Sequence, residues 1–151
     1  MTKRREPLTF HSALTKVAAL IGWDRCGAIC GVTERAVRNW SDPDTESEIR
    51  MLDAERLDRA YLSAGGDHAP FHRVYSLRLE IAQREAAAAD LIRTAAAAAK
   101  ESGEAVSALI QAAARRGDAA AIRAARKEGE EAIAALQQSM AALDAAERLG
   151  G

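Results

Sequence analysis

The chain of 151 residues carries 21 Lys plus Arg against 22 Asp plus Glu, and it is 48% apolar and 28% charged with only six aromatic residues. Of its 36 Ala, 27 fall between Ala82 and Glu147, which excludes a large mixed core there and points to thin helices behind a compact head. The formal charge of −1 argues against a generally basic protein but leaves room for a local basic face. The longest stretches without a charge, such as Ala132 to Leu143, reach 12 residues, well short of the ~20 that a membrane-spanning helix needs. His11 and Lys16 interrupt any signal-like apolar segment behind the basic start, so a cytoplasmic protein with no membrane contact is expected.

Taken in order, Phe10, Leu14, Val17, Ala18 and Ile21 mark one face of a first helix that Gly22 stops. A second short helix is expected from Trp23 or Asp24 to about Cys30, ended by Gly31. A third runs from Thr33 to about Trp40 and stops before Pro43, which cannot continue it. Thr45-Glu46-Ser47-Glu48 has the pattern of a capping box, predicting a fourth helix with Leu57, Ala60, Tyr61 and Ala64 on one face, Ile49 and Leu52 nearer its start, and Gly65-Gly66-Asp67 at its end. The domain boundary is placed there, giving a head over residues 1–66 and an Ala-rich helical region over 67–151.

Beyond Pro70 there is no Pro, and Ala, Glu, Arg, Gln and Leu all favour helix. Ser102-Gly103 and Gly117-Asp118 are the two punctuation marks, predicting helices over about Phe71–Glu101, Glu104–Arg116 and Ala119–Leu149. In the last of these, Ile122, Gly129, Ile133, Leu136, Met140 and Leu143 keep a 3-4 spacing, a short heptad seam. Val74, Leu77 and Ile81 mark a similar seam earlier. Since thin Ala helices gain little alone, these residues are expected to serve self-association, as a dimer or larger homo-oligomer, or packing within one chain. The fold class is therefore all-α: a small head followed by long helices in a hairpin or oligomeric bundle.

The first forty residues hold seven Lys or Arg and three acids, whereas residues 41–80 hold five and nine. The basic end contains the most informative stretch. With Gly31 as the turn, Gly27 falls four residues earlier, where two helices would cross. Cys26, Cys30, Val32, Val37 and Trp40 fall on buried offsets, and Thr33, Glu34, Arg35, Arg38 and Asn39 are left on the open face. Cys26 and Cys30, four apart, are expected to be small core residues, since a disulfide within one helical turn has poor geometry.

The stretch from Asp24 to Pro43, and in particular Gly31-Val32-Thr33 with Val37 and Trp40, resembles the helix-turn-helix of bacteriophage and prophage regulators of the Cro and CII type. The likeness continues through Gly65-Gly66-Asp67 and Pro70-Phe71 and covers residues 8 to 80. Gly27 departs from that family, which commonly has Ala at this place. The resemblance implies that helix 33–40 enters a major groove of double-stranded DNA. Residue chemistry agrees: Arg pairs with guanine and Asn with the adenine edge, which makes Arg38 and Asn39, with Thr33, Glu34 and Arg35, the base-reading set. Thr33 would also cap that helix. Lys3, Arg4, Arg5, Lys16 and Arg25 are candidates for backbone phosphates.

The function expected is a sequence-specific transcription regulator of phage type. Two alternatives share the architecture, a phage DNA-packaging subunit like the small terminase and a helical adaptor that binds RNA polymerase. No enzymatic activity, metal or cofactor is expected. His11 stands apart, Pro70 between His68 and His72 breaks their i, i+4 geometry on a helix, and the sequence holds no phosphate loop, nucleophile elbow or His-Glu-x-x-His segment.

Overall fold

The computed structural model describes residues 6–150, which form six helices and, among the described residues, no strand. They are α1 (Phe10–Ile21), α2 (Trp23–Cys30), α3 (Glu34–Trp40), α4 (Met51–Ser63), α5 (Pro70–Ala114) and α6 (Ala119–Gly150). No helix is long and apolar enough to cross a membrane. The chain divides into two compact units at Glu80/Ile81.

In the first unit, Thr9 caps α1 by accepting from the Ser12 amide, and Gly22 ends the helix at φ +92°. The expected face of α1 is the buried one: Leu14 and Val17 are fully covered, with Ala18 and Ile21 beside them. They pack on Cys26 and Cys30 of α2, Val37 and Trp40 of α3, and Leu57 and Tyr61 of α4. His11 ties α1 to the end of α3, its Nδ1 donating to the Trp40 carbonyl at 2.9 Å.

The fourth helix starts later than its sequence suggests. Thr45 is no cap; its hydroxyl turns back to the Asn39 and Asp42 carbonyls, at 2.6 and 3.0 Å, and so closes the end of α3. The segment then stays non-helical until Met51, with Arg50 at the N-cap position and no side-chain cap bond. Of the expected face, Ala64 is exposed, as is Leu52 nearer the start. Asp53 is buried in the first turn instead, its carboxylate held by Arg50 at 2.7 Å and Arg56 at 3.2 Å.

The head also extends past the expected boundary at residue 66. Phe71 and Val74, on the first turns of α5, belong to its core, Phe71 stacks near Phe10 with ring centroids 6.4 Å apart, and Arg78 lies over the Phe10 ring. Val74, at 8% exposure, is thus a head-core residue and not a self-association residue. The start of α5 is held from α4: the buried carboxylate of Asp58 accepts from the amides of Phe71 (2.9 Å) and His72 (2.8 Å). A carboxylate at a helix N-terminus meets both the orphan amides and the positive end of the dipole. Asp58→Ala therefore leaves one buried and one part-buried donor unpaired and is expected to cost about 2–3 kcal/mol. In a thermal melt this lowers the head transition by roughly 10–20 °C, with Asp58→Asn falling between; a shift of under 2 °C would show that the cap contributes nothing.

In the second unit, residues 81–150, the break expected at Ser102-Gly103 does not occur. One Gly in a helix costs about 1 kcal/mol, and the Ala-rich flanks outweigh it. Gly117-Asp118 does break the chain: Gly117 has φ +83°, and Asp118 caps α6 by accepting from the Ala120 and Ala121 amides. The two helices here run antiparallel, as shown by Arg84 Nε donating to the Leu149 carbonyl at 2.7 Å. Their buried positions are Thr94, Ala98 and Ala105 against Ala125, Ala132 and Ala142. Small side chains thus form the contact, and the bulky 3-4 stripe from Ile122 to Leu143 lies outside it, with Ile133 and Met140 each 58% exposed.

Candidate functional site: the exposed face of α3

The α2–α3 pair is fixed by its turn. Gly31 sits in the left-handed region at φ +70°, its amide bonds the Ala28 carbonyl, and the Val32 amide bonds the Gly27 carbonyl at 3.0 Å. These two bonds make a Schellman end to α2, which only a residue free to take positive φ forms without strain. Thr33 then caps α3, its hydroxyl accepting from the Ala36 amide at 3.2 Å. At the crossing, a Cβ on Gly27 would lie 2.8 Å from the Val32 carbonyl oxygen and 3.1 Å from the Glu34 nitrogen. The backbone of the turn rests directly on α2 at this point, so Gly at position 27 is a packing requirement of this chain.

With Val37 and Trp40 buried, α3 presents Thr33, Glu34, Arg35, Arg38 and Asn39 outward. Arg38 is organised before any partner arrives. Its guanidinium lies 4.8 Å from the Trp23 ring centroid and pairs with Glu34, one turn back, at 2.7 Å. Both side chains are about half exposed, so the pair contributes little stability and its guanidinium edge is easily given to another acceptor. The stacking role of Trp23 escapes a reading of α3 alone, because it crosses the turn; its signal is an aromatic residue at the start of α2.

Arg25 is exposed on α2. Lys16 is turned elsewhere, 3.7 Å from Asp67 and 3.2 Å from His68 Nε2, beside the turn that follows α4. There His68, and after it Lys16, hold the Asp67 carboxyl below its usual range. Lys3, Arg4 and Arg5 lie outside the described residues.

The two thiols lie behind this face. Burial, followed by the neighbouring thiol, pushes Cys26 up to about 11; burial, followed by Asp53, does the same to Cys30, also to about 11. At pH 7 the native thiolate fraction is then on the order of 300-fold below that of a free cysteine near 8.5. Alkylation is expected to be at least 100-fold slower in the folded than in the unfolded chain. Between about pH 8.5 and 11 the unfolded thiols lose protons that the folded ones keep, so stability falls as pH rises through that window. Denaturant melts at pH 7.5 and 10 check this: the loss should shrink in Cys26→Ala/Cys30→Ala, and an identical loss in that variant would contradict it.

Two other places invite a site. An apolar groove of about 630 Å3 in the head lies between α4 and the first turns of α5, lined by Phe10, Ile49, Leu62, Phe71 and Tyr75 with Asp58 at its edge. The Asp58 carboxylate is already taken by two amides, and no buried side-chain polar atom among the described residues lacks a partner. In the second unit the carboxylates of Glu101, Glu104 and Glu128 lie within 4.8 Å of one another. Lys100 reaches Glu101 (3.1 Å) and Glu104 (3.3 Å), and Lys127 reaches Glu128 (3.8 Å) and Glu131 (3.0 Å), so ammonium groups already balance this cluster. Those carboxylates in turn raise both lysines above their ordinary range.

Comparison with protein-family models, with curated proteins and with solved structures found no match for this chain.

Proposed function

We propose that α2 and α3 form a helix-turn-helix and that the chain is a sequence-specific DNA-binding regulator of phage type, with α3 as the helix that enters the major groove. The observation that carries this reading is the outward set on α3. One arginine pre-stacked on Trp23, a second arginine and an asparagine project from a capped helix whose crossing and turn hold it rigidly. Arg supplies the fork that pairs with guanine O6 and N7, and Asn the donor and acceptor that pair with adenine. The Thr33 cap leaves the first amides of α3 near the surface, suited to a phosphate oxygen at the groove edge. Arg25, and the Lys3-Arg4-Arg5 segment, supply charge for the backbone.

A DNA-packaging subunit remains the second reading, favoured by the long hairpin of residues 81–150 and its exposed aliphatic residues; a ring of many copies would select it. The role of an RNA polymerase adaptor would leave α3 without effect on DNA. The test is a mobility shift on a duplex selected by the protein from a random pool. Arg38→Ala and Asn39→Ala should each weaken it, and unchanged binding by both variants would remove α3 from the DNA interface.

A further inference from the structure

The second unit carries a surface that its own packing leaves unused. On α6 the covered or half-covered positions run Ala121, Ala125, Glu128, Ala132, Ala135 and Ser139, on to Ala142, alternating steps of four and three. On α5 the matching set is Leu91, Thr94, Ala98, Glu101, Ala105 and Ala108. This is a heptad seam of mostly small residues, with Leu91, Glu101 and Glu128 half-covered within it. The bulky stripe of α6 sits one residue further on: Ile122, Ile133, Leu136, Met140 and Leu143 are 44–58% exposed. One residue further on along α5 come Ile92, Val106 and Leu109, 56–72% exposed.

A step of one residue turns about 100° around a helix. Because the two helices are antiparallel, the same forward step turns both stripes to the same side of the pair. Lys100, Glu104, Lys127 and Glu131 fall on the opposite side, where they form their ion pairs. The hairpin therefore has one mostly apolar face, whose α6 stripe includes the exposed Arg126, and one charged face.

Area decides what covers the apolar one. With about 200 Å2 for a fully exposed aliphatic residue, the eight side chains leave on the order of 900 Å2 open, against the roughly 300–600 Å2 of the largest patch on a typical monomer. That matches the ~800 Å2 that each partner contributes to a stable interface. The relief of the face fits a copy of itself. At mid-height Ile133 and Leu136 form a ridge on α6, while the same level of α5 offers only Ala95, Ala99 and Ser102. A two-fold axis parallel to the helices sets each α6 ridge on the α5 furrow of the other copy. Gly129 lies on the same face, and a Cβ there would meet nothing within 4 Å, so this chain's own packing gives no reason for its helix cost.

We infer that residues 81–150 pair through this face with a second copy of the chain, as a four-helix interface with a small-residue seam inside each hairpin and an aliphatic seam between them. The pairing requires nothing of α3 and is measured without DNA, so its failure and that of the DNA reading are separable. Sedimentation of the full chain from 0.5 to 50 µM should show a dimer. In Ile133→Ala/Leu136→Ala, whose replacements favour helix, the dissociation constant should rise at least tenfold with far-UV helicity retained, whereas Lys100→Ala on the charged face should change it less than twofold. A monomer throughout the range, a dimer indifferent to the Ile133/Leu136 change, equal sensitivity to Lys100→Ala, or a closed assembly of more than two copies would each overturn the inference.

Discussion

Gly27→Val is expected to unfold the head while leaving most of the helix signal from residues 81–150. A Cβ alone already stands 2.8 Å from the Val32 carbonyl oxygen and 3.2 Å from the Thr33 carbonyl carbon. These are backbone atoms of a turn whose geometry is set by Gly31 and by the bond from the Val32 amide to the Gly27 carbonyl, so no side chain can swing aside. To admit Val, α3 must lift from α2, which uncovers Val37 and Trp40 and breaks the stack of Arg38 on Trp23. Overpacking of a rigid contact costs about 1–3 kcal/mol, and uncovering two core side chains adds about 1.5–3 kcal/mol for each. The sum approaches the whole stability of a small domain. Chemical denaturation followed by Trp fluorescence, which reports both Trp23 and Trp40, should show no native baseline for Gly27→Val and a transition weakened by about 1–3 kcal/mol for Gly27→Ala. A native-like transition in Gly27→Val would mean that the crossing is looser than the distances imply.

On the proposed function, Arg38→Ala should cost the largest share of specific DNA affinity, about 1–3 kcal/mol or roughly 5- to 150-fold. Three things are lost together: the guanidinium fork, its stacking on Trp23, and the partner that holds Glu34. The last loss leaves a carboxylate facing the phosphates, which places Arg38→Ala at the upper end of that range. Glu34→Gln should act in the opposite sense on bulk affinity, because removing one negative charge strengthens non-specific binding. It should also reduce discrimination, since Arg38 is then less firmly oriented. Fluorescence anisotropy on the selected duplex and on a scrambled one separates the two effects. Equal loss on both duplexes for Arg38→Ala would make it a phosphate contact instead of a base reader.

How much of this was legible depended on whether the signal was local. The bounds of α1, α2 and α3 follow from Gly22, Gly31, Thr33 and the residues before Pro43, because each acts within one turn of its own position. The start of α4 was not legible: Thr45 has the chemistry of a cap, but its hydroxyl is drawn to carbonyls at the end of α3, six and three residues back. Asp58 is a cap at a distance, bonding amides 13 and 14 residues on, and no spacing rule marks it. The seam inside the hairpin of the second unit was not legible for a plain reason. Large aliphatic residues give a visible period, whereas Ala occurs on every face of α5 and α6, so a seam built from Ala has no contrast in the sequence. For the candidate site, the open set on α3 could be named from offsets alone, but the Trp23–Arg38–Glu34 arrangement required the two helices to be brought together.

Selection of duplex DNA by the wild-type chain tests the central claim most directly. A random pool is presented at about 150 mM salt, which suppresses phosphate-only binding, and the retained fraction is sequenced over several rounds. Sequence-specific reading by α3 predicts enrichment of one motif in which the wild type and Arg38→Ala differ at a defined guanine. A retained pool indistinguishable from the starting pool would contradict it.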